Sequence, residues 1–254
     1  MDRSVVLKRE ETIFYTCANI TINEEVKVTF YKMKMFTEMF ADYFQNFDVL
    51  YQSLSPKFNR DSVFQAGEGA GASGSFFFFS HDKKFIIKTI PKDELKEILR
   101  LLPSLKEHYQ SNPRSLLGKI FGVFTVKTRT MSEVHLVLIE NILRFKNPKN
   151  LRHIFDLKGS SVNREVTGPI KASTTLKDVN FMKEREGDDN FVKYSKIDKC
   201  RLLRALQRDV EFLRRNGIMD YSLLLGIEDT DAELDQDVLH AIGAPRYSAR
   251  RLTA

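Results

Sequence analysis

The stretch that decides the fold is G-A-G-A-S-G-S-F-F-F-F-S-H-D-K-K-F-I-I-K-T-I, which runs from Gly69 to Ile90. Two short runs of mostly apolar residues, 75–80 and 85–90, flank the polar segment 81–84. Apolar runs on either side of a polar turn predict a β-hairpin. The glycines before the hairpin have the spacing G-x-G-x-x-G, and glycine lets backbone N–H groups approach an anion without an intervening Cβ.

These glycines fit one class of phosphate-binding loop better than two others. A Walker A loop has a lysine where Ser75 stands, and a dinucleotide-binding loop leads from its glycines into a helix rather than a strand. A kinase-type loop lies between two strands and is followed by a lysine on the third strand, which is the position of Lys88. The alternative is an ordinary glycine-rich hairpin whose Lys88 faces solvent, and the loop alone favours neither.

The composition predicts a globular protein with anionic partners. The 254 residues are 42% hydrophobic and 29% charged, with a formal net charge of +6. This charge favours phosphorylated ligands, an acidic membrane surface or nucleic acid. Two cysteines give no disulfide framework, no apolar run is long enough to span a membrane, and the charged N-terminus is unlike a signal peptide. We therefore expect a reduced, intracellular protein.

Apolar spacing predicts the other elements. Helical periodicity occurs over residues 33–54, from Pro91 down to Pro103, and from Lys199 to a stop at Asn216–Gly217, whereas residues 183–199 resemble a loop or weak helix. Besides the hairpin, strand-like runs occur at Thr12–Tyr15, Val26–Phe30, Val63–Gln65, Leu117–Val126 and Val134–Ile139. The hairpin, Val63–Gln65, Leu117–Val126 and Val134–Ile139, with the helix that starts at Pro91, predict a five-stranded antiparallel sheet with one helix.

A kinase-type site would need a carboxylate that holds Lys88 and a linker that binds adenine. Protein kinases pair the lysine with a glutamate of the following helix. Glu94 is the first candidate here and Glu97 the second, although either could equally be a solvated charge on an amphipathic helix. Residues 140–143 fall where the linker between the lobes would lie, and the backbone of Asn141, Ile142 and Leu143 is a candidate for binding adenine.

Several sequence blocks then occur in an order that identifies a family. They are G-A-S-G-S-F-F (71–77), F-I-I-K-T-I (85–90), L-L-P (101–103), N-P-R-S-L-L (112–117), F-D-L-K-G-S-S (155–161), T-L-K-D (175–178), R-D-V-E-F-L (208–213) and I-M-D-Y-S-L-L-L-G-I (218–227). The D-L-K-G-S block and the last block are highly specific. By these blocks the chain resembles the phosphatidylinositol phosphate kinases, from about residue 30 to residue 227.

The resemblance implies an α+β fold of two lobes, the SAICAR synthase-like kinase fold. An antiparallel-sheet N-lobe would occupy residues 29–143 and a smaller, incomplete C-lobe residues 144–227. Residues 1–28 would be an N-terminal extension, and residues 228–254 an acidic, flexible tail. Family members are often dimers and act at the cytosolic face of membranes. We therefore expect a cytoplasmic, peripheral protein that binds anionic membrane through the basic residues near 144–158, and we expect no nucleic-acid partner.

The resemblance also implies a reaction and its residues. The family uses ATP and Mg²⁺ to phosphorylate the inositol ring of a phosphatidylinositol monophosphate, which for this chain would convert the 4-phosphate to the 4,5-bisphosphate. Lys88 matches the ATP lysine, Asp220 the catalytic aspartate and Lys158 a lysine that contacts phosphate. Arg164 lies where the family is often basic and is a further substrate-binding candidate. The candidate nucleotide loop comprises Gly69, Gly71, Ser73, Gly74 and Ser75.

The sequence departs from the family at points that affect the metal. In the family, a later I-I-D motif supplies an aspartate that binds Mg²⁺, and a lysine-rich activation loop follows it. Neither is found after Ile227. Ala72 stands where many family members have a lysine or an arginine in the glycine loop. Protein kinases are excluded, because the H-R-D motif is absent and Leu225 stands where their metal-binding asparagine would be. Two hypotheses follow. The chain is an active lipid kinase, or a fragment of one. Alternatively it is a catalytically impaired kinase fold that acts as a nucleotide- or membrane-binding regulatory module.

Overall fold

The computed structural model describes residues 12–17, 20–25, 27–40, 47–59, 67–68, 75–143, 150–186, 195–228 and 251–253. The chain forms two compact units, residues 1–141 and 142–254. The predicted strand Val63–Gln65, glycine loop 69–74 and basic residues 144–149 lie outside the described residues. No helix in the described ranges is long and apolar enough to cross a membrane.

The first unit is built on a six-stranded antiparallel sheet. In sheet order its strands are β3 (Lys27–Tyr31), β7 (Ile120–Lys127), β8 (Val134–Glu140), β6 (Phe85–Ile90), β5 (Phe76–Phe79) and β4 (Gly67–Glu68). The predicted hairpin is confirmed as β5 and β6, and the α+β class is confirmed as well. The sheet has six strands rather than the five predicted, because β3 joins it by pairing with β7. The two-residue strand β4 forms the opposite edge by pairing with β5. A separate hairpin consists of β1 (Thr12–Cys17) and β2 (Ile20–Glu25).

The described helices of this unit are α1 (Met33–Met39), α2 (Phe47–Leu54), α3 (Pro56–Asn59) and α4 (Lys92–Ser111). The helical spacing predicted over 33–54 corresponds to α1 and α2. The end of α1 at Met39 was not predicted; Phe40 follows it with a non-helical φ of −125°. Six side chains from the sheet, α1 and α4 form a common buried core: Phe36, Ile90, Leu95, Leu102, Val123 and Val137.

The helix α4 continues past Pro103, where the apolar spacing of the sequence predicts its end. A proline lacks the N–H that would bond to the carbonyl four residues earlier, and so it usually breaks a helix interior. In α4 the buried Leu102 and Leu105 lie on either side of the proline and extend the apolar face. We infer that burial of this face outweighs the lost hydrogen bond.

The described residues of the second unit form a four-stranded sheet and two helices. Its strands, in sheet order, are β10 (Thr175–Leu176), β9 (Leu151–Leu157), β11 (Leu223–Glu228) and β12 (Arg251–Thr253). The pair β10–β9 is parallel and the other pairs are antiparallel. The helices are α5 (Asp178–Glu186) and α6 (Lys196–Arg215). Phe155, Leu176, Leu225 and Ile227 form the buried core of this unit.

The helix α6 begins earlier than predicted, at Lys196 rather than Lys199. Ser195 caps it, because its Oγ accepts a hydrogen bond from the backbone N–H of Asp198 at 3.0 Å. The S-x-x-D spacing of these two residues is a sequence signal for a helix start. The predicted stop is confirmed: α6 ends at Arg215, and Gly217 has the left-handed φ of +70° that favours glycine.

The turn between β5 and β6 is held by the carboxylate of Asp82. Its Oδ1 accepts hydrogen bonds from Ser80 Oγ at 2.8 Å and from the backbone N–H of Lys84 at 3.2 Å. Its Oδ2 accepts a hydrogen bond from Ser53 Oγ, on α2, at 2.6 Å. Burial opposes ionisation of Asp82, but the hydrogen bonds from Ser53, Ser80 and Lys84 lower its pKa well below the usual range. The ionised carboxylate therefore ties α2 to the hairpin that carries Lys88.

Asp82→Asn should lower the free energy of unfolding of the first unit by about 1–3 kcal/mol at neutral pH, because an amide replaces one acceptor oxygen by a donor. The pKa of Asp82 is lower in the folded chain than its unfolded value of about 3.9. This stabilisation is therefore present above about pH 5 and is lost as the pH falls through the folded value. The difference between the two proteins should shrink in acid, which urea unfolding at pH 7 and at low pH would measure.

Asp93→Asn is the matched control for this prediction, since the Asp93 side chain is fully accessible and pairs with Lys96 at 2.9 Å on the surface of α4. A change within about 0.5 kcal/mol is expected for such a surface position. An Asp82→Asn protein as stable as the wild type at pH 7 would contradict the assigned role of Asp82.

Candidate functional site

Lys88 lies on an interior strand of the first unit's sheet. Its cross-strand neighbours are Phe77 on β5 and Val137 on β8, so β6 is paired on both sides at this residue. The start of β5 is tied to the same part of β6, because the backbone N–H of Phe76 donates to Thr89 Oγ at 2.9 Å. This pairing fixes the backbone that carries the lysine.

Lys88 and Glu94 form an ion pair. Lys88 Nζ lies 3.2 Å from Glu94 Oε1, and Glu94 is in the first turn of α4. The second candidate, Glu97, instead accepts a hydrogen bond from Arg100 Nε at 3.0 Å. This hydrogen bond lowers the pKa of Glu97. Of the two candidates, Glu94 is therefore the one that contacts Lys88. The pair is accessible to a ligand, since the side chains are 22% and 40% exposed.

Only some of the predicted nucleotide-binding residues lie within the described part of the chain. Gly69, Gly71, Ser73 and Gly74 lie outside the described residues, and Ser75 is buried next to the start of β5. Asn141 directly follows β8 and is buried, with Ile142 and Leu143 half-buried after it.

Asn141 is held by the turn that precedes β6. Its backbone N–H donates to the carbonyl of Lys84 at 2.9 Å, and its Nδ2 donates to the carbonyl of Lys83 at 2.8 Å. These backbone and side-chain donors are therefore engaged within the protein.

Lys158 and Asp220 lie at the same end of the second unit's sheet. Leu157, the last residue of β9, pairs with Leu223, the first residue of β11. Lys158 follows one strand and Asp220 precedes the other, which places Lys158 Nζ 4.0 Å from Asp220 Oδ1. The two sequence blocks that are far apart in the chain are thus brought together by the antiparallel register.

Asp220 has an uncommon backbone conformation. Its φ is +58°, in the left-handed region that residues other than glycine, asparagine and aspartate rarely adopt. Its side chain is 94% exposed, whereas Lys158 is 35% exposed. A carboxylate held in such a conformation and open to solvent, with a cation nearby, is typical of a functional position rather than of a packing residue.

Arg164 is half-buried and lies between two carboxylates. Its Nε donates to Asp178 Oδ2 at 2.8 Å, and its Nη2 donates to Asp156 Oδ2 at 3.2 Å and to the backbone carbonyl of Asp156. The hydrogen bond to Asp178 is the largest cause that raises the pKa of Arg164. The Arg164 side chain is 13% exposed, and its guanidinium is paired with two carboxylates of the protein itself.

Asp178 is the site residue whose role the sequence did not reveal. Its Oδ1 accepts hydrogen bonds from the backbone N–H groups of Lys158 at 3.0 Å and Gly159 at 2.7 Å. Burial opposes ionisation of Asp178, but the hydrogen bonds from Arg164, Gly159 and Lys158 lower its pKa below the usual value. The T-L-K-D block contains this residue, but nothing in its spacing shows that the carboxylate contacts a loop about twenty residues earlier.

The described residues do not form a metal site. Within the described ranges, no three His, Cys, Asp or Glu side chains converge so as to hold a metal ion. We therefore assign no described residue to Mg²⁺ and derive no step through this ion.

The comparisons with known proteins show the family of this chain. The chain matches the family model described as Phosphatidylinositol-4-phosphate 5-Kinase over residues 58–248, which is more than half of its length. The chain therefore belongs to the phosphatidylinositol-4-phosphate 5-kinase family. The resemblance found in the sequence blocks is confirmed.

Several curated relatives are similar to this chain. A probable phosphatidylinositol phosphate kinase of Dictyostelium discoideum is 45% identical over 159 residues, which cover 62% of this chain and 21% of the relative. Phosphatidylinositol 4-phosphate 5-kinase its3 of Schizosaccharomyces pombe is 34% identical over 165 residues (64% and 21%). The human phosphatidylinositol 4-phosphate 5-kinase type-1 beta is 36% identical over 171 residues (65% and 30%). The chain thus spans between 21% and 30% of the length of these relatives.

Proposed function

We propose that this chain is a lipid kinase that transfers the γ-phosphate of ATP to phosphatidylinositol 4-phosphate and forms the 4,5-bisphosphate. The observation that carries the proposal is the placement of Lys158 beside the exposed Asp220 at one end of β9 and β11. The named activities of relatives in Schizosaccharomyces pombe and Homo sapiens support the 4-phosphate as the substrate.

Lys88 is proposed to bind the phosphates of ATP, and Glu94 to orient it. The 3.2 Å ion pair holds the ammonium in one direction while leaving it accessible. The glycines 69–74 with Ser75 would supply further N–H groups to the phosphates. The carbonyl of Asn141 and the backbone of Ile142 and Leu143 would bind adenine.

Asp220 is proposed to orient the attacking inositol hydroxyl and to accept its proton. Lys158, 4.0 Å away, would bind phosphate and stabilise the charge that develops during transfer. Phosphoryl transfer depends chiefly on such positioning and charge stabilisation. We assign Arg164 to support of the Lys158 loop rather than to substrate binding, because two carboxylates already engage its guanidinium.

Membrane association is proposed to be peripheral and electrostatic. The net charge of +6 and the basic residues near 144–158 favour the anionic cytosolic leaflet, and salt should weaken the association. Homodimer formation, which the family resemblance suggested, remains part of the proposal. Dilution of the purified chain during light scattering would test it.

The substrate assignment is tested by offering three monophosphates separately. Vesicles would contain phosphatidylinositol 3-, 4- or 5-phosphate at equal density, with Mg-ATP in solution. We expect the 4-phosphate to be turned over at least about tenfold faster than the others, a ratio that corresponds to about 1.4 kcal/mol of transition-state discrimination. Product chromatography should identify the 4,5-bisphosphate. Equal rates on all three lipids would contradict the assignment, and ATP binding without turnover would favour the regulatory alternative.

A further inference from the structure

We propose that Asp178 is a positioning residue that fixes the backbone of Lys158 and Gly159 and so holds the Lys158 ammonium beside Asp220. The proposal rests on the proposed function, because it assigns Asp178 to the same phosphoryl transfer. Asp178 acts through the loop and contacts no reacting atom.

Both oxygens of the Asp178 carboxylate are engaged. Oδ1 accepts the N–H groups of Lys158 and Gly159 at 3.0 and 2.7 Å, and Oδ2 accepts Arg164 Nε at 2.8 Å. The side chain is 14% exposed. Charge-assisted hydrogen bonds of this kind are stronger than those between neutral groups, and burial strengthens them further.

The two successive N–H groups determine what the loop offers to a ligand. Gly159 has a φ of +74°, and successive N–H groups in a turn of this kind often form a concave binding site for an anion. In this protein the carboxylate of Asp178 occupies that position. The loop therefore presents the ammonium of Lys158 to a phosphate group rather than its backbone N–H groups.

The helix that carries Asp178 is itself anchored. Asp178 is in the first turn of α5, and the next residue, Val179, donates its N–H to the carbonyl of Arg164 at 3.0 Å. Asn180 Oδ1 accepts the N–H of Val166 at 2.9 Å, and Asn180 Nδ2 donates to the carbonyl of Val166, also at 2.9 Å. The Val179 contact thus ties the start of α5 to Arg164, whereas the Asn180 contacts tie the helix to Val166 and not to the Lys158 loop.

Arg164 extends the same support to β9. It joins Asp178 to Asp156, which lies two residues before Lys158 in the chain. Asp178 therefore holds the loop through the N–H groups of Lys158 and Gly159. Through Arg164 it is also connected to Asp156 on β9, the strand that precedes the loop. Loss of Asp178 should leave Lys158 attached to β9 but free to move away from Asp220.

Asp178→Ala tests the proposal, with Asn180→Ala as the matched control. Both variants remove hydrogen bonds made by the first turn of α5, but the Asn180 side chain bonds to the backbone of Val166 and Lys177 rather than to that of Lys158 and Gly159. We expect Asp178→Ala to lower kcat on phosphatidylinositol 4-phosphate by about tenfold to a hundredfold with little change in the KM for ATP. Amide exchange at Lys158 and Gly159 should accelerate. Asn180→Ala should keep kcat within about threefold.

Asp178→Asn provides a conservative rescue. Its Oδ1 can still accept the two N–H groups, so its kcat should lie between those of the wild type and Asp178→Ala. Equal losses of kcat in Asp178→Ala and Asn180→Ala would show that Asp178 only stabilises α5. That result, or an unchanged kcat in Asp178→Ala, would overturn the proposal.

A binding experiment distinguishes a failure of this proposal from a failure of the proposed function. If the wild type shows no turnover, inositol 1,4-bisphosphate is titrated into the ¹⁵N-labelled full chain and the amide signal of Lys158 is followed. A perturbation in the wild type and in Asn180→Ala that is lost in Asp178→Ala would support positioning although the kinase assignment fails. The same perturbation in all three proteins, or none in the wild type, would overturn the positioning role.

Discussion

Asp220→Asn should lower kcat for phosphorylation of phosphatidylinositol 4-phosphate by about 10²–10⁴-fold, the usual contribution of a positioned general base. The amide cannot accept the proton of the attacking hydroxyl. Asparagine also tolerates the φ of +58° observed at this position, so the variant should fold as the wild type does. Alanine would be a poorer choice, because it would add backbone strain at the same residue. Steady-state kinetics with vesicles, together with ATP binding by calorimetry, would measure the effect.

The expected pattern for Asp220→Asn is loss of turnover with ATP affinity retained. Asp198→Asn is a suitable control, since Asp198 is an exposed aspartate near the start of α6 in the same unit. Its kcat should stay close to that of the wild type. Turnover by Asp220→Asn at the rate of the Asp198→Asn control would contradict the assignment of Asp220 as the catalytic carboxylate.

Lys88→Met should lower kcat/KM for ATP by about 10²–10³-fold, the loss typical of one charged or hydrogen-bonding group that stabilises the transition state. Methionine retains much of the side-chain length but lacks the charge that would bind the phosphates. Glu94→Gln should have a smaller effect, of about tenfold, because the ammonium remains but its orienting partner becomes neutral. Initial rates at varied ATP concentration and circular dichroism of each variant would test this order.

Glu97→Gln is the matched control for Glu94→Gln. Both glutamates are on α4, but Glu97 pairs with Arg100 and Glu94 with Lys88. We expect Glu97→Gln to change kcat/KM for ATP by less than about twofold, since the Glu97–Arg100 pair is an exposed one. Equal losses in the two glutamine variants would refute a specific role for the Lys88–Glu94 pair.

Local sequence patterns predicted much of the fold. The apolar runs and polar turn of residues 75–90 gave the hairpin, because strand pairing and turn formation are decided within a few residues. The length of α4 was not predictable from Pro103, since the burial of Leu105 beyond the proline depends on tertiary packing. The start of α6 could have been found from Ser195 and Asp198, whose spacing is a local cap signal.

The candidate site was predictable only in part. Glu94 follows Lys88 closely in the chain, so their pairing could be anticipated from the strand-to-helix order. Lys158 and Asp220 were recognised through sequence blocks, but their proximity depends on the register between β9 and β11. The contacts of Arg164 with Asp156 and Asp178 depend on tertiary burial, which no spacing in the sequence reveals.

The most direct test of the central claim is the transfer of labelled phosphate from γ-labelled ATP to vesicles that contain phosphatidylinositol 4-phosphate. The full chain, Lys88→Met and Asp220→Asn would be compared at equal concentration after circular dichroism has shown that all three are folded. The account predicts label in phosphatidylinositol 4,5-bisphosphate with the wild type and only background label with either variant. No labelled lipid from the folded wild type, or equal labelling by all three proteins, would contradict it.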